Sequence, residues 1–305
     1  MTSTLTQTQA GPKAASTASP QADVERSVLP EPTQRTTPGL TAVRGAAAAA
    51  GSVVWKAAGI LAFLALWELG PTYLASASTR VFLPPLHEVL LAWGRLFEAG
   101  TIQGHIAASL TRSVAGFGAA LVAGVSLGLL IAWYGRLNSI LNPLLELFRN
   151  TAALALLPVF TLLLGIGEES KISIVAYAAF FPVLLNTIAG VKTVDPLLIR
   201  AARSLGLNSF QLFHKVILPS AVPTIFTGIR MAGTASILVL IAAEMVGAKA
   251  GLGYLIVNAQ SSFLIPDMYA GILTVSLLGL GVNFLLVALE RHFSRWRTAV
   301  GATAS

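Results

Sequence analysis

Six long apolar runs set the pattern of this chain: 57–77, 113–134, 150–167, 172–191, the stretch that follows Pro223, and 270–289. Each approaches the ~20 residues that an α-helix needs to cross ~30 Å of hydrocarbon. The pattern therefore predicts six crossing helices. Charge interrupts them rarely: Glu68 lies in the first, and the fifth carries Arg230 near its start and Glu244 near its end. In the second, Ala120, Gly124 and Gly128 recur every four residues, a stripe that lets a neighbouring helix come close. Pro158 and Pro182 interrupt the third and fourth runs, and a proline there frees a carbonyl and bends the helix.

Three stretches depart from the pattern. Residues 1–52 hold Thr, Ser, Pro, Gln and Ala with almost no large apolar side chains. Such a segment cannot bury enough surface to offset chain entropy, so it reads as a disordered tail; 298–305 form a short second tail. Asp23, Glu25 and Glu31 argue against a transit peptide. The apolar length of 57–77 favours an uncleaved helix over a cleaved signal, despite the small residues at 75–78. In 82–100, Pro84 and Pro85 open a short helix with Val89, Leu90, Trp93, Leu96 and Phe97 on one face, the signature of a helix lying at a membrane surface.

The third departure is "AARSLGLNSFQLFHKVILP" at 201–219, basic and amphipathic between two apolar runs. Asp195 suits an N-cap, Pro196 the first helical position and Gly206 the residue past the end. Leu198, Ala201, Ala202 and Leu205 share a face. A second helix starts at Asn208 or Ser209 and is expected to stop at Pro219. Two short helices joined by a glycine turn fit three roles: an interfacial loop without a partner, a DNA reader, or a docking element for another protein. The DNA reader has little reach when held between two spans.

Composition agrees with the pattern. The chain is 55% hydrophobic and 11% charged, against about 25% charged for soluble domains. It has no cysteine, which excludes disulfides and thiolate chemistry. The net charge of +7 is not a nucleic-acid signal here, because Lys and Arg mark cytoplasmic loops of membrane proteins. A cytoplasmic N-terminus collects Lys13, Arg26, Arg35, Arg44, Arg136, Lys192, Arg200, Arg203, Lys215, Arg291, Arg295 and Arg297 on one side. The other side keeps Arg80, Arg95, Lys171 and Lys249, with Arg112 at its edge. Both termini and the 193–222 loop are then expected in the cytoplasm.

Catalytic signatures are missing. There is no G-x-x-x-x-G-K-[ST] phosphate loop, no HExxH and no GxSxG, and the four histidines are isolated. We assign no catalytic or metal-ligating residue. Intramembrane charges are costly and are candidates for function. Glu146 and Arg149, three residues apart, form an expected ion pair beside Asn150, and Glu244 is read as a gating or structural residue that caps the turn after it or meets a cation. Asn186 and Thr187, a turn beyond Pro182, are candidate polar groups for a pathway, together with the proline breaks.

The residues Ala201-Ala202, Gly206, Val216 and Leu218-Pro219 resemble the EAA signature of ABC-importer permeases, with Arg200 in place of the family's leading Glu. The stretches 154–172, 180–196 and 242–256 are similar to sulfonate, taurine and nitrate permeases, and "RNT" at 149–151 is nearest the aliphatic-sulfonate members. The resemblance implies an all-α MetI-like membrane fold, with a permease domain over 53–297, its core at 105–290, and a coupling loop at 193–222. It implies docking of cytoplasmic ATPase subunits through Arg200, Ala201, Ala202, Gly206, Val216, Leu218 and Pro219. It further implies ATP and magnesium held on that partner rather than on this chain, an external substrate-binding protein, a homodimer, and a bacterial inner-membrane location. A secondary transporter or channel, and a membrane-anchored interaction protein, are the rival classes. The first of these wants an inverted repeat or a buried acid–base relay.

Overall fold

The computed structural model describes residues 55, 58–74 and 76–293. The tails expected at 1–52 and 298–305 lie outside the described residues. The chain divides into two units, Met1–Ala62 and Phe63–Ser305. Of the first, residues 58–62 are helical and expose Ile60 and Leu61. In the second, the described elements are helical and no strand occurs among the described residues.

The first apolar run is not one regular helix. The α-helix over 63–69 passes into a π-turn, Gly70–Leu74, where Pro71 is fully buried and supplies no N–H. A short helix, Ala77–Phe82, follows. The long elements are α1 (Leu86–Glu98), α2 (Thr101–Trp133), α3 (Gly135–Arg149), α4 (Leu157–Leu164) and α5 (Glu168–Lys192). They continue with α6 (Pro196–Ser204), α7 (Ser209–Leu212), α8 (Leu218–Glu244), α9 (Leu252–Ser261) and α10 (Ile265–Phe293).

The core is α2, α5 and α8. Gly116, Ala120, Gly124 and Gly128 line the buried edge of α2. A Cβ on Gly128 would sit 2.7 Å from that of Thr187, and one on Gly124 would sit 2.9 Å from a Val183 methyl. The expected stripe is thus real, and Gly116 against Val175 extends it by a turn. Because both sequence numbers rise together along this contact, α2 and α5 run parallel. Along α8 they run oppositely, Gly190 facing Ala221 and Gly228 facing Asn186, so α8 is antiparallel to both. Ala120, Ala179, Val183 and Ala232 form the common centre, packed by Phe117, Phe180 and Ile229. With no water to expel, such helices are held by close van der Waals fit, which small residues provide.

Parallel neighbours dictate the connection between them. α2 ends where α5 also ends, so the chain must return the length of the bundle before α5 begins. It does so through α3 and α4, bent by 84° around the short 3₁₀ turn Ala153–Leu156. Leu145 of α3 packs with Ile131 and Ile188 at one end, and Leu157 of α4 with Ile174 and Ala243 towards the other. This corrects the expected straight crossing at 150–167. Residues 135–164 form a broken one, and Pro158 opens α4 at its second position instead of interrupting a span.

Four helices among the described residues are long and apolar enough to cross a membrane, or five with the bent pair, where the sequence predicts six over a wider stretch. Two further boundaries change. Pro219 does not stop the second short helix, because α7 runs through a π-turn, Phe213–Ile217, into α8 as one 36-residue unit from Ser209 to Glu244. Pro219 sits just past that π-turn, whose wider winding accommodates a residue without an N–H donor inside the continuous unit. α10 lies antiparallel to α8, and Arg230 pairs with Glu290 at 3.0 Å. α1 buries Val89 and Ala92 against Ala270 of α10, with Trp93 Nε1 donating to Thr274 Oγ1 at 3.1 Å, while Leu90 stays half exposed.

Candidate functional site

Two constellations occupy opposite ends of the core. The first, at the end shared by the C-termini of α2 and α5, is the segment from Asp195 to Pro219. Asp195 Oδ1 accepts the Leu197 amide at 2.7 Å, and Pro196 begins α6. α6 closes in a Schellman arrangement, with Leu207 N–H on Ala202 O (3.2 Å) and Gly206 N–H on Arg203 O (2.9 Å). Gly206 sits at φ 78°, the left-handed region that glycine enters without strain. Asn208 and Gln211 then form a reciprocal capping box, at 2.8 and 3.2 Å, that starts α7.

This punctuation fixes which side chains face outward. Leu197, Leu198, Leu205 and Phe210 are all more than half exposed. Arg200, Ala201 and Gly206 share that surface, whereas Ala202 is buried. Val216, Leu218 and Pro219 are half-buried in the root of α8. The seven motif residues therefore split into an outward group on α6 and its turn, and an inward group that seats the segment. Trp133 of α2 meets Phe213 edge-on at 4.9 Å and bolts the segment to the bundle.

The second constellation is a buried ionic cluster at the other end. Arg112 of α2 is 4% exposed and is shared between two carboxylates. Its Nη1 donates to Glu244 Oε1 (2.6 Å) and to Ala250 O (2.7 Å), and Nη2 donates to Glu168 Oε1 (2.7 Å). Its Nε also donates to Glu168 Oε2. Ser109 Oγ lies 2.8 Å from each Glu244 oxygen, and the Gly253 amide donates to Glu244 Oε2 at 3.0 Å. Lys171, equally buried, donates to Gly167 O at 3.0 Å. Glu244 is thus both paired with a cation and set on the turn after α8, the two arrangements its sequence position suggested. Arg112, Lys171 and Glu244 are buried, where a lone charge would be very costly, and Glu168 adds the second carboxylate from the exposed rim.

The other sequence candidates lie apart from both constellations. Arg149 Nη2 meets Glu146 Oε2 at 2.8 Å on the half-exposed surface of α3. Asn150 ends α3, its amide donating to Glu146 O at 2.8 Å. Pro182 lies inside α5, where Asn186 Nδ2 donates back to Pro182 O (2.8 Å) and Thr187 Oγ1 to Val183 O (2.7 Å). Asn186 and Thr187 each thereby direct a donor to a carbonyl of their own helix. Sequence reasoning missed Ser109 and the centrality of Arg112, because α2 begins twelve residues before the apolar run that announced it, and it missed Glu168, which opens α5 ahead of the run at 172–191.

The family described as binding-protein-dependent transport system inner membrane component matches residues 121–298 of this chain. The chain belongs to that family. This permease is 37% identical over 225 residues to the taurine transport system permease protein TauC of Escherichia coli (strain K12), covering 72% of this chain and 82% of that one. It is 34% identical over 237 residues to the putative aliphatic sulfonates transport permease protein SsuC of Bacillus subtilis (strain 168), covering 77% and 85%. Its fold matches a chain of the MetNI methionine ABC transporter in an inward-facing conformation, with a TM-score of 0.54 at 19% identity, over 63% of this permease and 95% of that chain. The MetI-like helical fold expected from the sequence is therefore the fold found. The permease is a membrane-embedded component of an ABC transport system.

Proposed function

We propose that this permease forms the transmembrane path of an ATP-driven importer for a small organic anion, with an aliphatic sulfonate as first candidate and taurine, nitrate, bicarbonate or a vitamin precursor as rivals. The observation that carries the reading is the outward face of α6 and its turn. Leu197, Leu198, Leu205 and Phe210 project from one end of the bundle on a doubly capped scaffold. A rigid, short, apolar-tipped helix suits insertion into a cleft on another protein. The partner is an ABC ATPase subunit on the cytoplasmic side, which holds ATP and magnesium. Arg200 borders this face, and there it offers a cation to the partner at the position where the EAA signature it resembles has a Glu.

In the cycle we infer, ATP draws two ATPase subunits together beneath a permease homodimer. Their motion enters through 196–219 and tilts α8, which is continuous with that segment. An external binding protein delivers the anion to the opposite end. In this reading both termini lie on the cytoplasmic side of the inner membrane, an orientation that the Lys and Arg asymmetry supports. The substrate reading is supported by the likeness to a taurine and an aliphatic-sulfonate permease protein.

The test is reconstitution of the permease in proteoliposomes with its ATPase and binding protein, offering labelled alkanesulfonate, taurine and nitrate in turn. ATP-dependent uptake of an alkanesulfonate is expected. Uptake that persists without the ATPase would sink the importer reading, and preference for nitrate would move the substrate.

A further inference from the structure

α9 begins without a cap of its own. Gly251 stands at its N-cap position at φ 118° and has no side chain to offer. The first amides of a helix lack intrahelical acceptors and need them from elsewhere. Here three successive amides find them on other helices. Gly251 N–H donates to His105 Nδ1 (3.1 Å), Leu252 N–H to Ser109 Oγ (2.8 Å), and Gly253 N–H to Glu244 Oε2 (3.0 Å). His105 and Ser109 lie one turn apart on α2, and Glu244 is the last residue of α8. A Cβ on Gly251 would overlap the Glu244 carboxylate, so the fit is made by backbone against side chain.

A carboxylate at a helix N-terminus is also favoured by the helix dipole. Glu244 thus closes α8 and caps α9 with the same group, while Arg112 and Ser109 hold its oxygens. α8 is in turn continuous with α7, the segment whose neighbour α6 carries the outward apolar face. We propose that Glu244 is a positioning residue of the transport cycle, tying α9 to the far end of the helix whose near end is the docking segment. Displacement of that segment then reaches α9 through one helix and one carboxylate. The inference rests on the importer reading for its role, and on the hydrogen bonds alone for its geometry.

The chain has no cysteine, so spin labels placed on Ala107→Cys in α2 and Asn258→Cys in α9, both exposed positions, report on α9 directly in the purified full chain. A narrow distance distribution is expected with Glu244 present and a broadened one in Glu244→Gln. In the reconstituted complex, Glu244→Gln should hydrolyse ATP within about two-fold of the parent. Its uptake per ATP should fall about ten-fold, the effect of losing one charge-assisted hydrogen bond. If Glu244→Gln does not fold, Ser109→Ala carries the same two readouts. An unchanged distance distribution, or unchanged uptake per ATP in a folded variant, would overturn the proposal. Absence of ATP-driven uptake in the parent complex would refute the importer reading and with it the role in transport; the label distances would still decide whether Glu244 holds α9.

Discussion

Replacing Arg112 with Met leaves Glu244 buried without the cation it pairs with, and removing one partner of a buried pair costs about 3–5 kcal/mol. The expected result is a large fall in the thermal midpoint of the detergent-solubilised permease. The double variant Arg112→Met/Glu244→Leu should recover part of it, since an apolar pair needs no compensation. An additive double variant would show that the two side chains act independently. Half of this arrangement was legible in the sequence. Glu244 stood out as an acid closing a long apolar run, but Arg112 stood one residue before an apolar run and read as an edge residue. Its carboxylate partners lie 56 and 132 positions away, and no local periodicity reports on pairing at that distance.

At the scale of the element, the caps around Gly206 were readable because every bond in them is local. Gly206→Ala should cost about 1 kcal/mol, through left-handed strain alone, since a Cβ there meets no atom within 4 Å. Asn208→Ala should cost about 1 kcal/mol by removing the capping box. Neither should block membrane insertion, whereas Gly206→Glu should abolish ATPase association, measured by co-purification. Normal association in that variant would remove this face as the docking site. In the helix pair α2 and α5, Gly128→Leu should destabilise by about 1–3 kcal/mol through overpacking against Thr187. The misread boundary was Pro219. A proline ends a helix by lacking a donor and crowding the preceding turn, but the wider π-turn at Phe213–Ile217 precedes it here and lets the backbone continue.

For the molecule as a whole, the parallel course of α2 and α5 requires the 135–164 segment to return between them. Single cysteines introduced at Gly135 and Leu205 should therefore react with an impermeant reagent from one side of the membrane, and those at Ile166 and Lys249 from the other. Labelling of Gly135→Cys and Ile166→Cys from the same side would exclude the broken crossing. Apolar run length located the straight spans well. It misplaced this one because the 84° bend follows a helix whose Pro143, Glu146 and Arg149 disguise it as a loop. The long separation of Arg112 from its partners has a consequence for synthesis. At ~5–20 residues per second, Glu244 leaves the ribosome on the order of ten seconds after Arg112. α2 must therefore enter the bilayer carrying an arginine whose innermost counter-charge does not yet exist. Glu168 is made sooner and neutralises it first. The pair that joins α2 to the end of α8 can therefore close only once α8 has been made in full.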